Sequence, residues 1–99
     1  MFQSIEGLID EYEFSDAIPL DEFSAESKDD GLLFYDEVTL WGLTNHNGNV
    51  VDYAIDHYHT GLNPGCFGVR DVNIIPDLSY WNCEKRFYNR IATEFHGIR

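Results

Sequence analysis

Apolar residues recur at three- and four-residue steps from the start of the chain. Phe2, Ile5, Leu8, Ile9 and Tyr12 fall on one side of a predicted helix, with Ser4 ahead of them as its N-cap. The other side of that helix is acidic: Glu6, Asp10 and Glu13 follow at i, i+4 and i+7, where like charges cost about a few tenths of a kcal/mol each. The stripe reads equally as a solvated face and as a contact surface. The helical period is lost over residues 15–30, which hold Pro19 and six acids with only Ile18, Leu20 and Phe23 to bury. The most that segment supports is a short helix over 20–27 between loops.

From Gly31 the pattern changes to β-branched and aromatic residues. LLFYDEVTLWGLT and NVVDYAIDHYH flank Asn45-His46-Asn47-Gly48, and Asn-Gly is a strong hairpin signal because a type I′ turn needs positive φ at both central residues. Placing Asn47 and Gly48 at those positions fixes a register in which paired residue numbers share one sum. Thr44, Leu40 and Val38 then oppose Val51, Ile55 and His57, with Phe34 and Tyr53 on the same face, and make a coherent core side. The other face pairs Leu43 with Asp52, Trp41 with Ala54, Thr39 with Asp56 and Glu37 with Tyr58, and adds Tyr35. Left open, a face of aromatic anchors ringed by charge is an interface; covered by a third strand or the last helix, it is a second core.

Residues 59–68 carry three glycines and a proline and form a loop. Gly65 and Gly68 lack the spacing and the basic neighbour of a phosphate cradle. Residues 69–75 alternate as a short third strand that Pro76 ends. A last helix follows, capped by Asp77 or Ser79 and stopped by Gly97. Tyr80, Cys83, Phe87, Tyr88, Ile91 and Phe95 lie on its core side, and Lys85, Arg86, Asn89 and Arg90 on the other. The fold class expected is α+β: an N-terminal helix, an antiparallel sheet of two or three strands built on the central hairpin, and a C-terminal helix packed on the sheet.

Length and composition narrow this further. Ninety-nine residues suit a single domain spanning 1–99, and 43% apolar with 15% aromatic residues is too much for a disordered acidic tail. Neither a signal peptide nor a membrane span is visible near Met1, so a cytoplasmic setting is expected, with Cys66 and Cys83 as free, partly buried thiols. The net charge of −12 is unevenly placed: residues 1–60 hold fourteen Asp or Glu against Lys28 alone, whereas 61–99 hold four acids against five Lys or Arg.

Candidate chemistry is sparse. His57 and His59 form an HxH pair whose rings share one side of a strand, and Asp36 falls opposite His59. A zinc site would need further ligands, for which Cys66 and His46 are the soft candidates, and neither spacing is diagnostic. The preferred reading is a structural His59–Asp36 ion pair, with no metal and no cofactor. Cys83 sits near Lys85 and Arg86 early in a helix, but on the side read as core it is an inert thiol. The many carboxylates lie on exposed stripes rather than in the contrasting environments a hydrolytic pair needs. No catalytic residue is assigned.

Binding remains. A surface rich in Asp and Glu mirrors the lysine and arginine grooves that hold nucleic-acid phosphates. In size, charge and aromatic content the chain resembles small acidic phage and plasmid inhibitors of the anti-CRISPR and anti-restriction type, and immunity proteins that neutralise nuclease toxins; no motif is carried over. The expected function is a non-catalytic inhibitor that binds a basic nucleic-acid-binding surface of a nuclease or a CRISPR- or restriction-type complex by mimicry, without binding nucleic acid or membrane itself. Its expected contact residues are Glu6, Asp10, Glu13, Asp29, Asp30, Tyr35, Glu37, Trp41, Asp52, Asp56 and Tyr58. The alternatives are an immunity protein against a nuclease toxin, a small interaction module of a larger assembly, and a small metal- or thiol-dependent enzyme using His57, His59 and Cys66.

Overall fold

The computed structural model describes residues 2–95, apart from the side chains of Asp29 and of residues 90–95. Ser4 opens helix α1 (Ile5–Tyr12) as the N-cap expected of it, its hydroxyl accepting from the Gly7 N–H at 3.0 Å. Glu13 closes the helix in the left-handed conformation, φ 59°, and donates its N–H to the Ile9 carbonyl.

Residues 15–30 are not loops around a short helix. Asp16–Asp29 is a long strand, β1, paired antiparallel with β2 (Leu32–Thr44) from Asp16↔Thr44 to Asp29↔Leu32. The turn between them is Asp30-Gly31, with φ of 50° and 82°, so it has the paired left-handed residues of a type I′ hairpin. Poor β-formers such as Ala, Ser and Glu are held as strand by this turn and by pairing along the whole of β2. Asp21, Phe23, Ala25 and Ser27 alternate as half-buried positions with exposed Glu22, Ser24, Glu26 and Lys28. Leu20 is the extra residue of a bulge between Pro19 and Asp21. That bulge, Pro19 and the charges blunt what is an outer edge of the sheet.

β3 (Val50–Gly61) follows in the expected register, with Leu43↔Asp52, Leu40↔Ile55 and Asp36↔His59 paired. The turn that sets it differs from the type I′ expectation. Gly48 (φ 81°) is left-handed and Asn47 is not; Asn45 and Asn49 close a three-residue loop, and the Asn45 side chain accepts from the N–H groups of Asn47 and Asn49 at 3.0 and 3.1 Å. Thr44 therefore meets Val50, and a bulge at Val51 restores the expected pairing from Leu43 onward. β4 (Val69–Ile75) pairs antiparallel with β3 over the expected residues, so the sheet has four strands in the order β1-β2-β3-β4 rather than two or three. At the β4 edge, Phe2 and Val72 exchange backbone hydrogen bonds of 3.2 and 2.8 Å.

A helix covers each face of this sheet. α1 packs Ile5 and Leu8 on Leu43, Ala54 and Val72, with Trp41 and Ile74 at the margin. α2 (Leu78–Phe95) packs Trp81 on Val38, Leu40, Ile55 and Ile75 on the opposite face, with Phe23, Tyr53 and Tyr88 around it. Asp77 caps α2, its carboxylate accepting from the N–H groups of Ser79 and Tyr80 at 3.0 and 3.4 Å and from the Ser79 hydroxyl. The inward side of α2 is rotated from the one expected, and of the expected core residues described only Tyr88 packs on the sheet. Trp81 is 3% exposed, whereas Tyr80 and Phe87 are nearly half exposed and Cys83 is exposed. The rotation has a partner on β1: Asp21 accepts from Trp81 Nε1 at 3.0 Å and from Lys85 Nζ at 2.9 Å. Lys85 thus faces the sheet, and Tyr80, Cys83 and Phe87 line an open groove outside it. The side chains of Arg90, Ile91 and Phe95, and Gly97, lie outside the described residues. No helix among the described residues is long and apolar enough to cross a membrane.

Candidate functional site

The acidic side is built on the sheet face that α1 shares. α1 covers only the end of that face near the 45–48 turn, and its outer residues Glu6, Asp10 and Glu11 are exposed, as is Glu13 beyond its last turn. Cross-strand rows run on past the helix: Glu22↔Thr39↔Asp56, Ser24↔Glu37↔Tyr58↔Arg70 and Glu26↔Tyr35. Directly paired residues share a face, so Glu22, Glu26 and Glu37 project from the same side as α1. Tyr35 is half-buried among them and donates its hydroxyl to Glu37 at 2.9 Å. That hydrogen bond, with burial, raises the phenol above its ordinary value and keeps it neutral. Glu22, Phe23, Ser24, Tyr35 and Glu37 line a shallow recess of about 350 Å³.

The structure divides the expected contact residues. Glu6, Asp10, Glu13, Asp30 and Glu37 are exposed, with Tyr35 beside Glu37. Asp56 is only 6% exposed and bound to Arg70 at 2.7 Å, so it is no free acid on this surface. The same guanidinium lies 5.1 Å above the Tyr58 ring. Trp41 is half-buried against the α1 core, so the first helix, and neither a third strand nor the last helix, makes this end of the face a core. Asp52 is half-buried opposite Leu43, and the Asp29 side chain lies outside the described residues. Glu22 and Glu26 join this surface only because 16–29 is a strand, and the local sequence signal for that strand is the Asp30-Gly31 turn. Among the described residues the salt bridges engage Asp21, Asp36 and Asp56, while Glu6, Asp10, Glu11, Glu13, Glu22, Glu26 and Glu37 enter none.

A second constellation occupies the α2 face. Asp36, 6% exposed, receives both histidines on one oxygen: His57 Nε2 and His59 Nδ1 each lie 2.7 Å from Oδ1. The expected His59–Asp36 pair is present, and His57 joins it from the diagonal position. Phe34 stacks on the His59 ring at 5.6 Å, and Tyr88 meets the His57 ring edge-on at 5.3 Å. Cys66 does not join this cluster, and both cysteines are free and exposed rather than partly buried.

Burial pushes the Asp36 carboxyl up, but hydrogen bonds from His57 and His59, with their charge, outweigh it and hold the group below its usual range. The bond to Asp36 raises His57 above its ordinary value, against desolvation and with help from Glu84 and Asp71. Burial, Asp36 and Glu84 push the Tyr88 phenol up to about 12. Asp36 thus contributes stability above the unfolded carboxyl value of about 3.9 that is lost as pH falls through its folded value. His57 contributes stability that is complete below about pH 6.5, its unfolded value, and lost as pH rises through its folded value. Urea denaturation in chelator should show the largest contribution between about pH 5 and 6, with Asp36→Asn costing roughly 1–3 kcal/mol there. His57→Gln should flatten the alkaline decline, and an unchanged decline would remove His57 as its source.

A scan against protein-family models, a search of curated proteins and a search of solved structures each find no match to this chain.

Proposed function

We propose that the protein is a non-catalytic inhibitor whose acidic side occupies a basic nucleic-acid-binding surface on a nuclease or a CRISPR- or restriction-type complex. The observation that carries this reading is the placement of Glu6, Asp10, Glu11, Glu13, Glu22, Glu26 and Glu37 on one side, each exposed and in no salt bridge among the described residues. On the other face, Lys85 is drawn into a pair with Asp21. Lys28 is exposed on this side and Arg70 is bound to Asp56, so the charge stays predominantly negative. Such a face steers encounter with a surface of the opposite sign, as does duplex DNA, itself anionic at about one charge per 1.7 Å. The Tyr35 ring beside Glu37 offers an aromatic anchor within the charge.

The test is kinetic. Against a panel of purified nucleases and CRISPR or restriction effectors, binding should be competed by duplex DNA. Its association rate should fall about tenfold or more between roughly 50 and 200 mM salt, with dissociation changing less. The triple reversal Glu22→Lys, Glu26→Lys, Glu37→Lys should slow association similarly at low salt. The protein alone should not shift labelled duplex in a gel. A salt-independent association rate, or tight binding to DNA itself, would end the mimicry reading.

A further inference from the structure

We propose that Asp36, His57 and His59 form a binding site for a divalent transition-metal ion of the zinc class, with one coordination position open to water. The site lies on the α2 face, away from the acidic side, and does not rest on the inhibitor reading. The ligand set follows from strand geometry: residues two apart on β3 project to the same face, and Asp36 on β2 is directly opposite His59 and diagonal to His57. Nε2, Nδ1 and a carboxylate oxygen all lie within 4.8 Å of one another. Tetrahedral zinc, with bonds of about 2.0–2.1 Å, sets its ligand atoms roughly 3.3 Å apart. The 2.7 Å contacts therefore need to open by about 0.6 Å to reach that spacing, and the half-exposed His59 ring has room to move.

The surroundings favour an ion. Phe34 stacked on His59 and Tyr88 against His57 fix the planes of both rings, and the Tyr88 hydroxyl, 3.5 Å from His57 Nδ1, is the outer-sphere acceptor for the ring N–H left free when Nε2 binds the ion. Asp71 on β4 is paired with His57, and Glu84 on α2 adds a further carboxylate to the field at that ring. Lys85, the nearby cation on α2, is held at Asp21. Two imidazoles and one carboxylate are the donors that suit zinc, and three protein ligands with partial exposure match open rather than closed sites.

Zinc titration of the 99-residue chain, pretreated with chelator, should show one tight site per chain above the weak binding of surface carboxylates. Cobalt in place of zinc should give the visible absorption of a tetrahedral ion and broaden the imidazole proton signals of His57 and His59. His59→Gln, at a half-exposed ring, should keep the fold and lose the tight site, with Asp36→Asn doing the same. Tyr88→Phe should weaken binding about tenfold, as outer-sphere partners do. His46→Ala, at the far hairpin tip, should change nothing. Should the tight site survive His59→Gln, or should cobalt leave both imidazoles sharp and give only a six-coordinate spectrum, the cluster is a hydrogen-bonded one and no metal site.

Discussion

Trp81→Ala should lower the stability of the fold by about 3–5 kcal/mol, the range for deleting a buried Trp or Phe. The indole is 3% exposed, fills the space over Val38, Leu40, Ile55 and Ile75, and meets the Phe23 ring at a tilt with centroids 5.3 Å apart. It also holds Asp21 with Lys85 and the Glu22 N–H, so the change removes one of three donors from a carboxylate that Lys85, Trp81 and Glu22 together keep below its usual range. Domains of this size have total stabilities of about 5–15 kcal/mol, so the variant should lose a large share of its urea midpoint with the slope unchanged. Tyr80→Ala, one residue earlier and 49% exposed, should stay within about 0.5 kcal/mol. The reverse order of effects would mean that α2 presents the Tyr80, Cys83 and Phe87 side to the sheet.

That rotation shows what a single sequence conceals. The last helix has two aromatic stripes, and periodicity ranked the wrong one because it carried more apolar residues. Trp81 and Lys85 look like a mixed stripe until Asp21 stands opposite them. Asp21 reaches Trp81 and Lys85 only because residues 16–29 form a strand. The segment has weak β propensity and few residues to bury, and its strand state comes from the Asp30-Gly31 turn and from pairing with β2, a tertiary effect that composition does not report. By contrast, α1 was legible through Ser4 and its apolar period, and β4 through alternation ended by Pro76. The central register was legible because a one-residue slip would have turned Leu40 and Ile55 out of the core. It survived a wrong turn type because the bulge at Val51 offsets the three-residue loop.

The candidate sites follow the same division. The acidic helix stripe was local and therefore readable. The HxH pair and its cross-strand Asp36 were readable from strand period and register, while the approach of His57 to the same oxygen depends on side-chain torsions that no spacing encodes. Trp41 fits an open aromatic face on strand period alone, and the packing of α1 on that end of the sheet makes it part of the core instead. Hydrophobic period says which side of a helix is buried, and nothing about which sheet face receives it.

Trp41 therefore belongs to folding more than to binding, and Trp41→Ala should cost about 2–4 kcal/mol, less than a fully buried Trp because the ring is only half-buried. It supports the α1 core of Ile5, Leu8, Leu43, Ala54 and Val72, so the loss should also loosen α1, seen as faster hydrogen exchange over residues 5–12. Trp41→Phe should behave differently. Among the described residues the Trp41 Nε1 donor is buried without a hydrogen-bond partner, a state that costs about 1–3 kcal/mol. Phe removes that donor while keeping an aromatic ring against the core, so the lost area is offset and the net change should be within about 1 kcal/mol. Denaturation midpoints of the two variants decide the matter. If Trp41→Ala is as stable as the parent, α1 does not shield this end of the sheet, and the aromatic face becomes available to a partner. If Trp41→Phe is as damaging as Trp41→Ala, the indole N–H has a partner in solution, and the cost assigned to it is wrong.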